Sequence, residues 1–214
     1  MSKPITEEML NELRENIAKT LSAKRARHSF EVEKMATRLA ELYLPERTLN
    51  LRVAALLHDI TKEYDEKVQL SILTKPGIEF SLKDRLAPKT FHARTAALLI
   101  PELYPEFASD DVISAVRWHT TGRENMALFE KLLYLADYID MSRDFEDCVK
   151  LRDYFFSANP EKMDEEERLA HLNRTLVMSL DMTMSALIKK GAVISTDTMN
   201  ARNSLICELH NLKK

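Results

Sequence analysis

Apolar residues recur every three or four positions along most of the chain, which is the spacing of helices that bury one face. The pattern predicts an amphipathic helix after the cap residue Thr6 and a second from about Arg25 to Leu44. A third and more apolar helix, over 46–61, should be central and buried. The N-terminal part of the chain is therefore predicted to be helical.

The same periodicity continues beyond this part of the chain. Further helices are predicted at 66–73, 90–100, 110–118 and 128–140, and from the acidic run near Asp164 to Gly191. Pro101 should stop the second of these helices, and Gly122 should lie in a turn of the loop 119–126. The polar segment 193–203 is expected to be a linker that leads into a last helix carrying Leu205.

Composition supports an all-α fold, because glycine occurs three times in 214 residues and good helix formers dominate. The formal charge of −3 argues against a nucleic-acid partner. Cys148 and Cys207 fit no disulfide framework, so reduced thiols in a cytoplasmic protein are expected. The acidic N-terminal segment is not expected to be a signal peptide, and no apolar run is long enough to predict a helix that spans a membrane.

Ionisable side chains stand on the apolar faces of five predicted helices. They are His28, the pair His58-Asp59, His92, His119 and Asp137. One histidine on an apolar face is usually a satisfied core residue. Six convergent groups, two of them carboxylates, are neutralised most cheaply by one or two divalent metal ions. By contrast, His171 and His210 are expected at the surface.

The order H…HD…D, with the pair at the end of an apolar helix, resembles the HD superfamily of metal-dependent phosphohydrolases. More specifically, AALLHDITKEY, HTTGR, LADYID and STDTMNARN look like the YqeK family, and the match runs from about Arg25 to Asn203. That resemblance implies an HD-domain helical bundle with a C-terminal helical extension. It also implies an iron-containing site and cleavage of diadenosine tetraphosphate into two ADP.

Carried over by position, the resemblance makes His28, His58, Asp59 and Asp137 metal ligands. It places Lys62 and Arg143 on phosphate, and His92 and His119 near the bridging phosphates or on a second metal ion. With Thr120 and Arg123 added as candidate phosphate contacts, the residues expected to meet substrate are His28, Lys62, His92, His119, Thr120, Arg123, Asp137, Arg143, Thr196, Asp197, Thr198, Met199, Asn200, Ala201 and Arg202. The predicted organisation is an N-terminal helix (1–24), an HD core (25–145) and C-terminal helices (146–214) that complete the nucleotide site, within one compact domain.

The residues also suggest a mechanism. A bound metal ion would lower the pKa of a bound water, and Asp59 would take the proton of that water or bridge two metal ions. Lys62 would neutralise phosphate charge, and His92 or His119 would protonate the leaving oxygen or hold the second metal ion. Three alternatives stay open: an HD phosphohydrolase for another nucleotide such as a dNTP or an alarmone, a non-hydrolytic nucleotide sensor, and a di-iron oxygenase. The identity and number of metal ions are also open, as is a homodimer formed through the long C-terminal helix.

Overall fold

The computed structural model describes residues 4–211, and within that range it is helical and contains no strand. The helices are α1 (Glu7–Thr20), α2 (Ala23–Tyr43), α3 (Thr48–Leu57), α4 (Glu66–Leu73), α5 (Leu82–Arg85), α6 (Phe91–Leu103), α7 (Asp110–Trp118), α8 (Leu128–Ile139), α9 (Glu146–Ser157), α10 (Glu165–Lys189) and α11 (Thr196–Asn211). The all-α prediction is confirmed.

Several helix ends follow from local chemistry. The Thr6 side chain accepts a hydrogen bond from the Met9 amide at 3.3 Å and caps α1, as predicted. Asp164 caps α10 in the same way, through the Glu167 amide at 2.8 Å. At the other end of α10, Gly191 adopts φ +60°, and the amide of Ala192 reaches back to the Leu187 carbonyl. That bond belongs to a Schellman motif, which requires a residue in the left-handed region.

Helix α3 lies at the centre of the bundle. Its residues from Val53 to Leu57 are fully buried, and α1, α2, α7 and α8 pack around it. Helix α10 packs against both α9 and α11, and α8 contacts α9 and α10. Because α3 is enclosed by apolar side chains along its length, its C-terminal end delivers the next residues, His58 and Asp59, into the interior.

Some predicted boundaries are wrong. Pro101 does not stop α6, which continues to Leu103; in the last turn the missing proline N–H forfeits only one hydrogen bond, and the Tyr104 amide closes the helix on Ile100. Helix α3 ends at Leu57 rather than at residue 61, and turns follow it. Helix α9 was not among the predicted helices.

The polar segment before the last helix is also not a linker, because Thr196 already begins α11. Thr198 and Ala201 are buried there, so tertiary packing outweighs the modest helix propensity of Thr, Asp and Asn.

His171 is buried, with 3% of its surface exposed, so its expected surface position is wrong. Its Nε2 lies 3.0 Å from the Phe155 carbonyl oxygen, and the two rings stack with centroids 5.3 Å apart. Burial lowers the pKa of His171, which favours the neutral ring in this position. His210 is exposed, as predicted.

Between residues 4 and 211, no helix combines the length and the apolar character needed to cross a membrane.

Gly122 fixes the loop 119–126 against α11. It adopts φ +66°, and a Cβ at this position would stand 2.8 Å from the Cβ of Ala201. The amide of Asn125 also donates to the Ser204 hydroxyl at 2.9 Å. The backbone of the loop therefore touches the first turns of α11 closely, which only glycine permits at residue 122.

We expect Gly122→Ala to lower the free energy of unfolding by about 1–3 kcal/mol more than Gly191→Ala does, because overpacking adds to backbone strain. Gly191 is the matched control, since its φ is +60° and a Cβ there would meet nothing within 4 Å. Urea unfolding of the two variants measures the difference. Equal losses would show that the contact with Ala201 costs nothing to disturb.

Candidate metal centre

Five helices bring the six predicted groups to one place. His28 lies in the second turn of α2, His92 in the first turn of α6, and Asp137 in the last turn of α8. The pair His58-Asp59 follows α3 directly, and His119 follows α7 directly. All but Asp137, which is partly buried, are at most 8% exposed. We call these six residues the His-Asp cluster.

One half of the cluster surrounds the Asp137 carboxylate. Its Oδ1 lies 3.0 Å from Nε2 of His28 and 3.7 Å from Nε2 of His58. In the other half, Oδ1 of Asp59 lies 3.3 Å from Nε2 of His92 and 3.8 Å from Nε2 of His119. His58 belongs to both halves, since its Nε2 is also 3.5 Å from Oδ2 of Asp59.

The backbone orients two of the imidazoles. Nδ1 of His58 lies 2.6 Å from the carbonyl oxygen of Ala55, and Nδ1 of His119 lies 2.7 Å from that of Val116. Both carbonyls belong to the last turn of a helix, where no intrahelical N–H reaches them. Because Nδ1–H donates to these oxygens, each ring is held with its Nε2 directed toward the cluster, where this atom is available to bind a metal ion.

The cluster fits a divalent metal ion. Nε2 of His58 and Oδ1 of Asp59 are buried and lack a hydrogen-bond partner. Leaving such atoms unsatisfied costs several kcal/mol in a protein interior. Two triads, His28–His58–Asp137 and His58–Asp59–His119, each have their ligand atoms within 4.8 Å of one another. Imidazole nitrogen and carboxylate oxygen around a shared point form a common donor set for divalent transition metals.

Electrostatics keep both carboxyl groups ionised. Burial alone would raise the pKa of Asp59, but its His58 and Lys62 neighbours outweigh burial and hold that pKa well below its usual range. Burial is likewise outweighed at Asp137, where Arg143 and His28 hold the pKa well below normal. Burial also lowers the pKa of His119, to about 4, so this ring is neutral at physiological pH. The cluster thus presents ionised carboxylates together with a neutral imidazole.

Asp140 and Ser142 support His28 from behind. Nδ1 of His28 lies 3.1 Å from the Ser142 hydroxyl and 3.5 Å from Oδ2 of Asp140, which is completely buried. The Ser142 amide and hydroxyl both donate to Asp140, which holds its carboxylate in place. Sequence reasoning missed this pair, although an acid three residues after Asp137 was visible.

Three cations border the cluster. Nζ of Lys62 lies 3.8 Å from Oδ1 of Asp59 and 3.0 Å from Nε2 of His92. Arg143 forms an ion pair with Asp137, and Nη1 of Arg25 lies 2.6 Å from Oδ2 of Asp59. Sequence reasoning did not include Arg25 among the predicted site residues. These groups supply positive charge at the edge of the site, where an anionic substrate would approach.

Of the other predicted substrate contacts, some border the His-Asp cluster and some pair with residues outside it. The Thr120 hydroxyl is 3.3 Å from Nε2 of His92, so it borders the cluster. Arg123 instead pairs with the buried Glu130, with Nε 2.9 Å from the carboxylate, and Arg202 pairs with Asp181. Residues 196–201 form the first turns of α11, which the loop 119–126 contacts through Gly122.

The helical fold and the His-Asp cluster together define the class, a metal-dependent hydrolase fold in which several helices contribute groups that could hold a divalent metal ion. The chain belongs to the HD domain family, whose model matches residues 25–142. The resemblance seen in the motifs is thereby confirmed.

Relatives extend this likeness over nearly the whole chain. A symmetrical bis(5′-nucleosyl)-tetraphosphatase from Halalkalibacterium halodurans is 32% identical over 190 residues, which cover 88% of this chain and 92% of the relative. A Bacillus subtilis protein of the same name is 29% identical, with 89% and 94% covered. A predicted HD superfamily hydrolase involved in NAD metabolism, from Clostridium acetobutylicum, has a crystal structure that superposes with a TM-score of 0.78. Its sequence is 32% identical, and the match covers 92% of this chain and 97% of that one.

We expect His58→Ala to remove bound metal from the protein, because both triads share this ring. His210→Ala, at an exposed position, is the control and should keep the wild-type metal content. Elemental analysis of the purified variants measures the difference. Full metal content in the His58 variant would place the metal elsewhere.

We expect Asp140→Asn to weaken metal affinity by about 10–100-fold, since carboxylates that orient a ligating histidine commonly contribute that much. Competition with a chelator gives the affinity, and thermal unfolding of the metal-free protein checks the fold. Asp153→Asn, at an exposed acid of α9, is the control. Unchanged affinity in the Asp140 variant would leave Asp140 a purely structural role.

Proposed function

We propose that this protein is a metal-dependent hydrolase that cleaves diadenosine tetraphosphate symmetrically into two ADP. The observation that carries the proposal is the similarity, along nearly their whole length, to relatives named for symmetrical bis(5′-nucleosyl)-tetraphosphatase activity. The cations beside the His-Asp cluster support it, because a tetraphosphate chain brings several negative charges to the reacting centre.

The ligands of this proposal are His28, His58, Asp59 and Asp137, with His119 and His92 available to a second ion. Two triads that share His58 support a pair of ions. We propose iron, which histidine-rich sites with carboxylates accommodate well. Bound there, a divalent ion would supply Lewis acidity and a water that ionises near neutral pH.

The hydrogen bonds distinguish the roles of the two remaining histidines. Nδ1–H of His119 donates to Val116, so its Nε2 has a lone pair and serves as a ligand. Within residues 4–211 no backbone carbonyl accepts a hydrogen bond from the His92 ring, whose Nε2 lies 3.1 Å from Nε2 of His119 and 3.3 Å from the Thr120 hydroxyl. We therefore assign to His92 the proton that goes to the leaving oxygen, and to Asp59 the proton taken from the attacking water. Burial lowers the pKa of His92, so the negative charge of the bound phosphates would be needed to favour its protonated ring.

The cations position the phosphates in this proposal. Lys62 and Arg143 each approach a cluster carboxylate, and burial lowers the pKa of Lys62, so a phosphate oxygen would help to keep its amine charged. Thr120 offers a hydroxyl beside His92. The segment Thr196–Ala201 would border one nucleoside. Arg123 and Arg202 contribute less, because each already pairs with a carboxylate.

The C-terminal helices, residues 146–214, would complete the nucleotide site of the HD core, 25–145. We also expect a cytoplasmic location, which the free thiols of Cys148 and Cys207 support. A homodimer stays a prediction.

The test is to purify the protein anaerobically with iron, add diadenosine tetraphosphate and separate the products by chromatography. ADP should be the sole product, and Asp59→Ala should reduce the rate to background because it removes a ligand and the proton acceptor. Asp153→Ala, at an exposed acid, should retain activity. AMP plus ATP, or hydrolysis of other nucleotides alone, would overturn the substrate assignment.

A further inference from the structure

A groove of 570 Å³ opens beside His28, at the end of the His-Asp cluster away from His92. Its walls come from the start of α2 and from the turn that links α8 to α9. We call it the Phe145 groove; the residues that matter here are Lys24, Arg25, Arg27, Met141, Arg143 and Phe145. A volume of this size accommodates a nucleotide-sized ligand.

The inner and outer parts of the groove differ in chemistry. Arg25 and Arg143 are already paired with the cluster carboxylates Asp59 and Asp137. The side chains of Lys24 and Arg27 are exposed, and neither forms an ion pair or a side-chain hydrogen bond with any residue in the range 4–211. A line of positive charge thus leads outward from the cluster and ends in two cations that are free to meet an anion.

Apolar surface accompanies these charges. Phe145 is 66% exposed and Met141 is 60% exposed. Phe145 occupies the N-cap position of α9. The side chain of Ser, Thr, Asp or Asn at this position would accept a hydrogen bond from a backbone amide of the first turn, whereas Phe145 makes no capping bond. Neither helix capping nor core packing therefore explains an aromatic side chain here. An exposed ring beside cations is the arrangement that stacks on a nucleobase while the charges hold its phosphates.

The order of groups along the cluster gives this groove a role. Oδ2 of Asp59 faces Arg25, whereas its Oδ1 faces His92 and His119. The loop 119–126 and the first turns of α11 adjoin the His119 end. A substrate cut at its middle must place a nucleoside diphosphate on each side of the central bridging oxygen whose bond to phosphorus breaks. The α11 end can take one of these halves, and a second surface must take the other.

We propose that the Phe145 groove binds the second nucleoside diphosphate half of the substrate, with Phe145 stacked on the base and Lys24 and Arg27 on the phosphates. Asp144, which also lines the groove, offers an acceptor to the ribose hydroxyls. This inference rests on the proposed function and extends it: the site selects for a nucleoside at both ends of the phosphate chain.

The test compares two ligands that share a tetraphosphate chain but differ in the number of nucleosides. Phe145→Ala should raise the KM for diadenosine tetraphosphate by about tenfold, as loss of one base–aromatic stack predicts. The inhibition constant of adenosine 5′-tetraphosphate should stay near the wild-type value, because its only nucleoside can use the α11 end. Phe145→Trp should restore the KM, which a merely structural role would not require.

The charged part of the groove has its own matched control. Arg27→Ala should raise the KM for diadenosine tetraphosphate, and the effect should shrink as salt is added. Lys34→Ala removes the same charge from an exposed position two turns further along α2 and should leave the KM unchanged. An equal increase in KM for the two variants would show that Arg27 acts only through the net charge of the protein and not through the groove.

A second readout does not depend on turnover. In Phe145→Trp, a non-hydrolysable methylene-bridged analogue of diadenosine tetraphosphate should quench the added tryptophan, with wild-type Trp118 emission as the background. No quenching, or equal losses for both ligands in Phe145→Ala, would overturn the groove assignment while the wild type still yields ADP. A wild type that leaves diadenosine tetraphosphate intact would instead overturn the proposed function, and the assignment with it.

Discussion

The burial of two carboxylates among four imidazoles is the constraint on which the rest of the structure depends. Asp59 is 2% exposed, and removing an ionised carboxylate from water costs several kcal/mol unless charge of opposite sign compensates it. Arg25 and Arg143 provide part of that compensation from the outer side. Two buried atoms on the inner side, Nε2 of His58 and Oδ1 of Asp59, have no hydrogen-bond partner, and a cation held where the five helices meet would compensate them.

Helix ends account for much of the cluster. His58 and His119 each follow the last residue of a helix, and Asp137 lies in the last turn of a third. The C-terminal end of a helix carries about half a negative charge, which favours a nearby cation. Three such ends therefore adjoin the centre, and the carbonyls of two of them also orient the histidines. The backbone thus contributes negative electrostatic potential at the centre, and it also orients two of the imidazole rings.

The cluster could be predicted because each ligand interrupts an apolar face, and a periodic pattern exposes such interruptions. The role of Asp140 could not be predicted, because a carboxylate just beyond the end of a helix is usually exposed to solvent, and the sequence does not show the partners that bury this one. His171 follows a highly charged run, but the partners that bury it, Phe155 and Tyr154, lie on α9, whose packing no local pattern reports. For the same reason, contacts between distant elements decided where α11 begins.

The position of α1 bears on where this protein can be divided. The family match begins at Arg25, yet Leu10 and Ile17 of α1 are fully buried, and Arg14 of the same helix holds the buried Glu33 of α2 at 2.7 Å. A chain that begins at Arg25 would lack α1 and so expose the apolar surface of α3 on which α1 packs. Glu33 would also lose Arg14 as a cationic partner. The shortest piece suitable for expression or for fusion to another protein therefore starts before Thr6, well upstream of the residues that identify the family.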